Sequence, residues 1–286
     1  MKRLCKLCLA LACTVNVGAS VAAELDCLIE PSQVVDVRAA VDGLIASVQV
    51  RRGDAIRRGQ ALVELQSAAE RVAVEAARFR AQMVGQVESA RSRVQYANAK
   101  LARLKELQRE NFVSAQAHDE AEAERRLAEA ELVSASESQE LAGIEFRRAQ
   151  EQLAMRTLLA PFNGVVLDRM LHPGDLAEAG SGRKPVLRVA QIDPLKVDIV
   201  VPAQLFGSFK PGMRALVTPK GMAARHAATV TMVDKVIDPA SGTFVVRLDL
   251  PNPHHLIPGG MRCTALVEGV VLPTPSGARP SMKSAP

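Results

Sequence analysis

Residues 39–55 read Ala-Ala-Val-Asp-Gly-Leu-Ile-Ala-Ser-Val-Gln-Val-Arg-Arg-Gly-Asp-Ala, and residues 160–176 read Ala-Pro-Phe-Asn-Gly-Val-Val-Leu-Asp-Arg-Met-Leu-His-Pro-Gly-Asp-Leu. Gly164 follows Gly43 by 121 residues, and Gly174-Asp175 follows Gly53-Asp54 by the same 121. Asp42-Gly43 and Asn163-Gly164 are tight-turn dipeptides, since both residue types tolerate φ > 0. Gly-Asp marks a second turn ten residues on in each copy. Between the turns lie short β-rich stretches, 44–50 and 165–171. Each copy is too small to bury a core alone. The repeat therefore predicts two half-motifs packed face to face as a small β-sandwich.

The copies are separated by residues 67–156, which contain no Pro, only two Gly (Gly85, Gly143), and much Ala, Glu, Arg and Gln. That composition predicts long helices. Heptad spacing gives Ala69, Ala73, Ala76, Arg80, Met83, Val87, Ala90, Val94, Ala97, Leu101 and Leu104 on a first arm. A second arm carries Ala128, Leu132, Ala135, Gln139, Ala142, Phe146, Ala149 and Leu153. Arg80 and Gln139 interrupt these seams, which are of coiled-coil type. Asn111-Phe112-Val113-Ser114 breaks both arms, and Ser114 reads as the N-cap of the second. The expectation is an antiparallel hairpin of arms about 65 Å long. Two apolar stripes suit a hairpin; a helical bundle needs four.

From Pro194 the pattern becomes short strands between turns: 195–201, 215–218, 229–236, 243–250 and 261–267. Strands at that spacing predict a small β-barrel. The fold class is thus mainly β with a long α-helical hairpin. The expected domains are a signal peptide at 1–23, an N-terminal strand at 24–36, and a split sandwich at 37–66 and 157–193. The hairpin at 67–156, the barrel at 194–270 and a disordered tail at 271–286 complete the chain.

The leader has a basic start (Lys2, Arg3), an apolar run and the small residues Val21-Ala22-Ala23. That is the pattern of a secretory signal cleaved near Ala23. A lipoprotein acylated at Cys13 and an uncut anchor are the competing readings. The formal charge is +5, but the leader holds three bases and no acid, leaving 33 bases against 31 acids. Aromatic residues make up 3% of the chain, with no Trp. A near-neutral mature chain with so few rings argues against nucleic-acid binding. Export leaves two cysteines, Cys27 and Cys263, read either as a disulfide or as two buried thiols.

Catalytic chemistry is not legible. His118, His172, His226, His254 and His255 form no zinc motif, and the scattered Met213, Met222, Met232 and Met261 read as strand and core residues. Phosphate-loop, dinucleotide and nucleophile-elbow motifs do not occur. No catalytic residue, metal or cofactor is expected.

Val41-Asp-Gly43, Arg52-Gly-Asp54 and Arg58-Gly-Gln-Ala-Leu62 resemble the first half-lipoyl motif of the periplasmic adaptors, or membrane fusion proteins, of tripartite efflux pumps. Leu159-Ala-Pro-Phe-Asn-Gly164 and Pro173-Gly-Asp175 resemble the second half, and Leu256-Ile-Pro-Gly-Gly-Met261 the segment closing the family's barrel. The resemblance implies split lipoyl, coiled-coil hairpin and barrel domains. It also implies a bridge between an inner-membrane transporter, resistance-nodulation-division type, and an outer-membrane tunnel-type channel. A homo-oligomer, as a hexamer, in the periplasm and associated with the inner membrane is implied as well. The membrane-proximal domain of longer members is expected to be absent or reduced to residues 24–36.

Arg103-x3-Leu107-x6-Ser114 resembles the adaptor tips that bind such channels. Arg103 and Leu107, four apart, share a helix face. Leu107 lies outside the seam of Leu101 and Leu104. Two other classes compete with the adaptor reading. One is a type I secretion adaptor. The other is a lipoyl- or biotin-type carrier domain, which would need a Lys where the hairpin leaves; Ser67 and Thr157 stand there.

Overall fold

The computed structural model describes residues 24–270 except Ser181. The leader and tail expectations lie outside these residues. Two compact units divide the chain: residues 34–190, and residues 24–33 with 191–270.

The strand β1 (Glu24–Val37) begins in the second unit and ends in the first. In residues 34–190, β2 (Gly43–Val48), β3 (Ala55–Ile56) and β4 (Ala61–Leu65) precede the helices, and β5 (Thr157–Leu159), β6 (Gly164–Arg169) and β7 (Leu176–Ala177) follow them. The repeat is built as a reciprocal pair. Gly43 and Leu44 of β2 face Ala177 and Leu176 of β7. Their counterparts 121 residues on, Gly164 and Val165 of β6, face Ile56 and Ala55 of β3. Core residues recur at the same offset: Val37 and Leu158, Ala39 and Ala160, Ile45 and Val166, Val50 and Leu171, Ile56 and Ala177, Leu65 and Val186 are all buried. Each half supplies one side of a shared core that neither could enclose alone.

The Asp-Gly and Asn-Gly dipeptides work differently from the sequence expectation. Positive φ occurs at Gly53 (90°) and Gly174 (92°), not at Gly43 or Gly164, which open strands. The Asp42 carboxylate instead accepts the N–H of Ala179 at 2.6 Å, and the Asn163 side-chain oxygen accepts that of Arg58 at 2.9 Å. The turn side chains therefore tie each half to the other. A Cβ at Gly43 would lie 2.6 Å from Nη1 of Arg156, so that guanidinium would have to move aside.

The insert is a hairpin of α1 (Ala68–Ala81), α2 (Gly85–Arg109) and α3 (Ala115–Ala154). Its 40-residue helix is about 60 Å long. The α2 and α3 seams follow the expected register, with Val87, Ala90, Ala97, Ala128 and Ala149 buried. The first arm, expected as one helix, breaks at Gln82–Val84, and its phase shifts. In α1 the partly or fully buried positions are Glu70, Val74, Ala77 and Ala81, while Ala69, Ala73 and Ala76 are exposed. The break lets the chain drop one residue from the heptad frame.

The second unit is a barrel. It contains β8 (Leu187–Pro202, from residue 191), β9 (Arg214–Pro219), β10 (His226–Val233), β11 (Thr243–Leu250) and β12 (Met261–Val267). Its strands run in the order β1-β12-β9-β10-β11-β8, and β1 pairs with β8 to close it. Alternate residues fill it: Leu195, Val197, Ile199 and Val201 on β8, and Phe244, Val246, Leu248 and Leu250 on β11. Residues 24–29 pair with β12 as a barrel strand. Asn252, 3% exposed, secures the loop before the closing segment by bonding Ile192 and Ile257 with its amide.

Candidate functional site

Hairpin tip geometry follows from how the two helix ends are capped. Arg109 is the last residue of α2, Glu110 is its C-cap, and Asn111 after it takes a left-handed φ of 59°. The Phe112 N–H then donates to the Leu107 carbonyl at 2.9 Å, and the Asn111 N–H to the Gln108 carbonyl at 3.0 Å. That is a Schellman end with Asn replacing the usual Gly. Ser114 caps α3, its hydroxyl accepting from the Ala117 N–H at 3.3 Å. Such a cap contributes about 1 kcal/mol. The backbone of the tip is thereby fixed, while its side chains point outward. Leu107 is 40% and Phe112 74% exposed, and Arg103 and Ser114 are exposed too. Sequence reasoning missed Phe112, the most exposed large apolar residue of the tip.

Interhelix ion pairs hold the register beneath the tip: Lys100 with Glu124 at 2.6 Å and Arg93 with Glu131 at 2.8 Å. The hydrogen bond that Lys100 donates to the Glu124 carboxylate raises the Lys100 pKa above its ordinary value. At the base, the Arg156 guanidinium donates to the Asp42 carbonyl at 2.8 Å and pairs with Glu70 of α1 at 2.6 Å. This clamp joins hairpin to sandwich through contacts that no local sequence pattern marks. Gly53, Asp54, Gly174 and Asp175 lie in the reciprocal turns, while Gly43 and Gly164 open the strands that pair with the opposite half. Asp54 accepts from the Arg51 N–H at 2.7 Å and Asp175 from the His172 N–H at 2.8 Å.

In the barrel, Cys27 and Cys263 stand directly opposite on β1 and β12, with Cα atoms 4.9 Å apart and sulfurs at 2.13 Å. One metal-capable cluster occurs among the described residues: His118, Asp119 and Glu122, with ligand atoms within 4.8 Å of one another near the start of α3. All three belong to one helix, and none is buried. No described helix is long and apolar enough to cross a membrane.

Comparison with known proteins settles the family. Residues 33–190 match the model of the CzcB-like, barrel-sandwich hybrid domain, which is more than half of the chain. The chain belongs to this family. Multidrug export protein AcrE of Escherichia coli (strain K12) is 23% identical to this barrel-sandwich hybrid protein over 254 residues, 84% of this chain and 62% of AcrE. Multidrug efflux pump subunit AcrA of the same organism is 24% identical over 252 residues, 83% of this chain and 60% of AcrA. The chain thus spans about three fifths of these relatives. Among solved structures, MacA from Actinobacillus actinomycetemcomitans superposes with a TM-score of 0.70 at 20% identity, covering 86% of this chain and 78% of MacA. That likeness fixes the fold: strands, a long helical hairpin and a barrel.

Proposed function

We propose that the chain is the periplasmic adaptor of a tripartite efflux pump, joining an inner-membrane transporter to an outer-membrane channel. The observation that carries this reading is the inserted hairpin. It has one seam, a capped tip, and Leu107 and Phe112 exposed on that tip. On this reading the reciprocal strands are a split lipoyl-like sandwich and the helices a coiled coil. Arg103, Leu107 and Ser114 dock a tunnel-type channel: Leu107 as an apolar anchor, Arg103 as a forked donor, and Ser114 as cap or contact. The transporter is of the resistance-nodulation-division type. Export follows cleavage near Ala23, and the mature protein works at the inner membrane. It is an assembly subunit, and no catalytic step is assigned to it.

Self-association as a hexamer is part of the same reading. Glu120, Glu124, Arg125 and Glu129 on the hairpin flank have partners within the hairpin, namely Gln116, Lys100 and each other. Lateral contacts are better served by apolar outer faces. Val72, Phe79 and Met83 lie exposed on α1 and its exit, opposite its buried side, and Leu141 and Ile144 lie exposed on α3. Two different apolar edges suit a head-to-tail ring of copies.

The test is a complementation assay in cells made drug-sensitive by loss of the adaptor. Leu107→Asp abolishes resistance while secretion and folding persist. Full resistance in that variant at normal expression contradicts the docking assignment.

A further inference from the structure

The two half-motifs provide an internal control on which residues the fold requires. Gly53 and Gly174 share a left-handed φ, Asp54 and Asp175 share a turn bond, and the Arg58 and Ala179 N–H groups share a bond to the opposite half. Yet Arg51, Arg52, Arg57 and Arg58 of the first half have His172, Pro173, Glu178 and Ala179 as counterparts. The same turns form without these four cations, so the fold does not need them.

Their placement concentrates charge. All four are exposed, and β3 is only two residues long between the pairs. Arg52 and Arg57 can therefore be at most about 18 Å apart. No ion pair among the described residues holds any of the four guanidinium groups. Asp54, in the same turn, accepts the Arg51 N–H, and Asp168, two residues along β6 from the Val166 that bonds Gly53, forms no ion pair with any of the four. Within residues 51–60 the one large apolar side chain, Ile56, is 2% exposed, and there is no aromatic ring. The surface thus has strong positive charge but nothing to insert among lipid chains or stack on a base.

The geometry points to a docking surface at Arg51, Arg52, Arg57 and Arg58 for an acidic polypeptide segment of another protein. Arginine forks suit paired carboxylates, and two pairs on rigid turns can engage several at once. On the repeat-related turn, Glu178 is already paired with Arg183 at 3.3 Å. The inference stands on the turns alone and does not depend on the adaptor reading.

The experiment uses the full chain with a fluorescein-labelled Glu-rich peptide as probe, read by anisotropy at low and physiological salt. Wild type binds, and added salt weakens the binding. The quadruple variant Arg51→Gln, Arg52→Gln, Arg57→Gln, Arg58→Gln loses roughly tenfold or more in affinity, since four contacts are removed. A second quadruple, Arg78→Gln, Arg80→Gln, Arg147→Gln, Arg148→Gln, removes equal charge from the hairpin and leaves binding unchanged. Circular dichroism confirms that both variants are folded. Equal losses in the two variants reduce the effect to net charge and overturn the proposal. So does binding of phosphatidylglycerol vesicles through the four arginines with no binding of the peptide.

Discussion

Gly53 donates its backbone N–H to the carbonyl oxygen of Val166 at 2.8 Å, and its counterpart Gly174 donates to Ile45 at 2.9 Å. Val166 in turn donates to Asp54, and Ile45 to Asp175. Each turn is completed by a strand of the other half, on the far side of the hairpin in sequence, so the hairpin is inserted without separating the halves. Both glycines sit near φ 90°, where a Cβ is strained. Gly53→Ala and Gly174→Ala should each destabilise the protein by about 1–2 kcal/mol in urea unfolding. Near-equal values are expected because the two positions have the same role. A large loss at one and none at the other would break the equivalence.

Arg156 should control the stiffness of the hairpin base. It and Glu70 are about four-fifths buried, so removing the cation leaves a carboxylate without its partner. Arg156→Met should cost about 1–3 kcal/mol. Hydrogen exchange should rise in the first turn of α1 and stay unchanged at the tip. Uniform exchange changes along the hairpin would argue against a local clamp.

Acid should loosen the sandwich edge through Asp36. The hydrogen bond from Arg188, at 2.8 Å, holds this carboxyl below its ordinary value. A depressed acid contributes stability above its unfolded pKa, and that contribution is lost as pH falls through the lower folded value. Melting temperature should therefore fall from about pH 4 downward. Asp36→Asn should be less stable than wild type at pH 7 and show a shallower acid slope. An unchanged slope would show that the pair is screened by solvent.

We further expect Cys27 and Cys263 to be bonded in the exported protein. Reduction, or Cys27→Ser, should lower stability by about 3–5 kcal/mol in the chain-entropy view. Two titratable thiols in unreduced, unfolded protein would rule the bond out.

How much the sequence revealed depended on whether a residue acts through local pattern or long-range contact. The α3 seam, including the polar Gln139, and the strands 243–250 and 261–267 follow from periodicity and turns alone. The one-residue phase shift in α1 does not. Gln82, Met83 and Val84 are ordinary helix residues, and only Gly85 hints at a break. Asp42 and Asn163 drew attention as turn formers, but their side chains act across the repeat, a role that appears only once the halves meet. Strand β1 was legible as a strand, but its partner β12 lies more than 230 residues away, beyond any local signal. Arg103, Leu107 and Ser114 were readable as a pattern; the Schellman end at Asn111 that fixes their frame was not.

The proposed docking of the hairpin tip on an outer-membrane channel can be read by cross-linking. A photo-reactive amino acid placed at Leu107, in cells carrying the complete pump, tests this most directly. The expected result is a cross-link from position 107 to the periplasmic end of the channel, while the same probe at Leu141, exposed on α3, links copies of the chain to each other. A well-expressed, exported protein that gives no channel cross-link from position 107, while its pump is active, would contradict it.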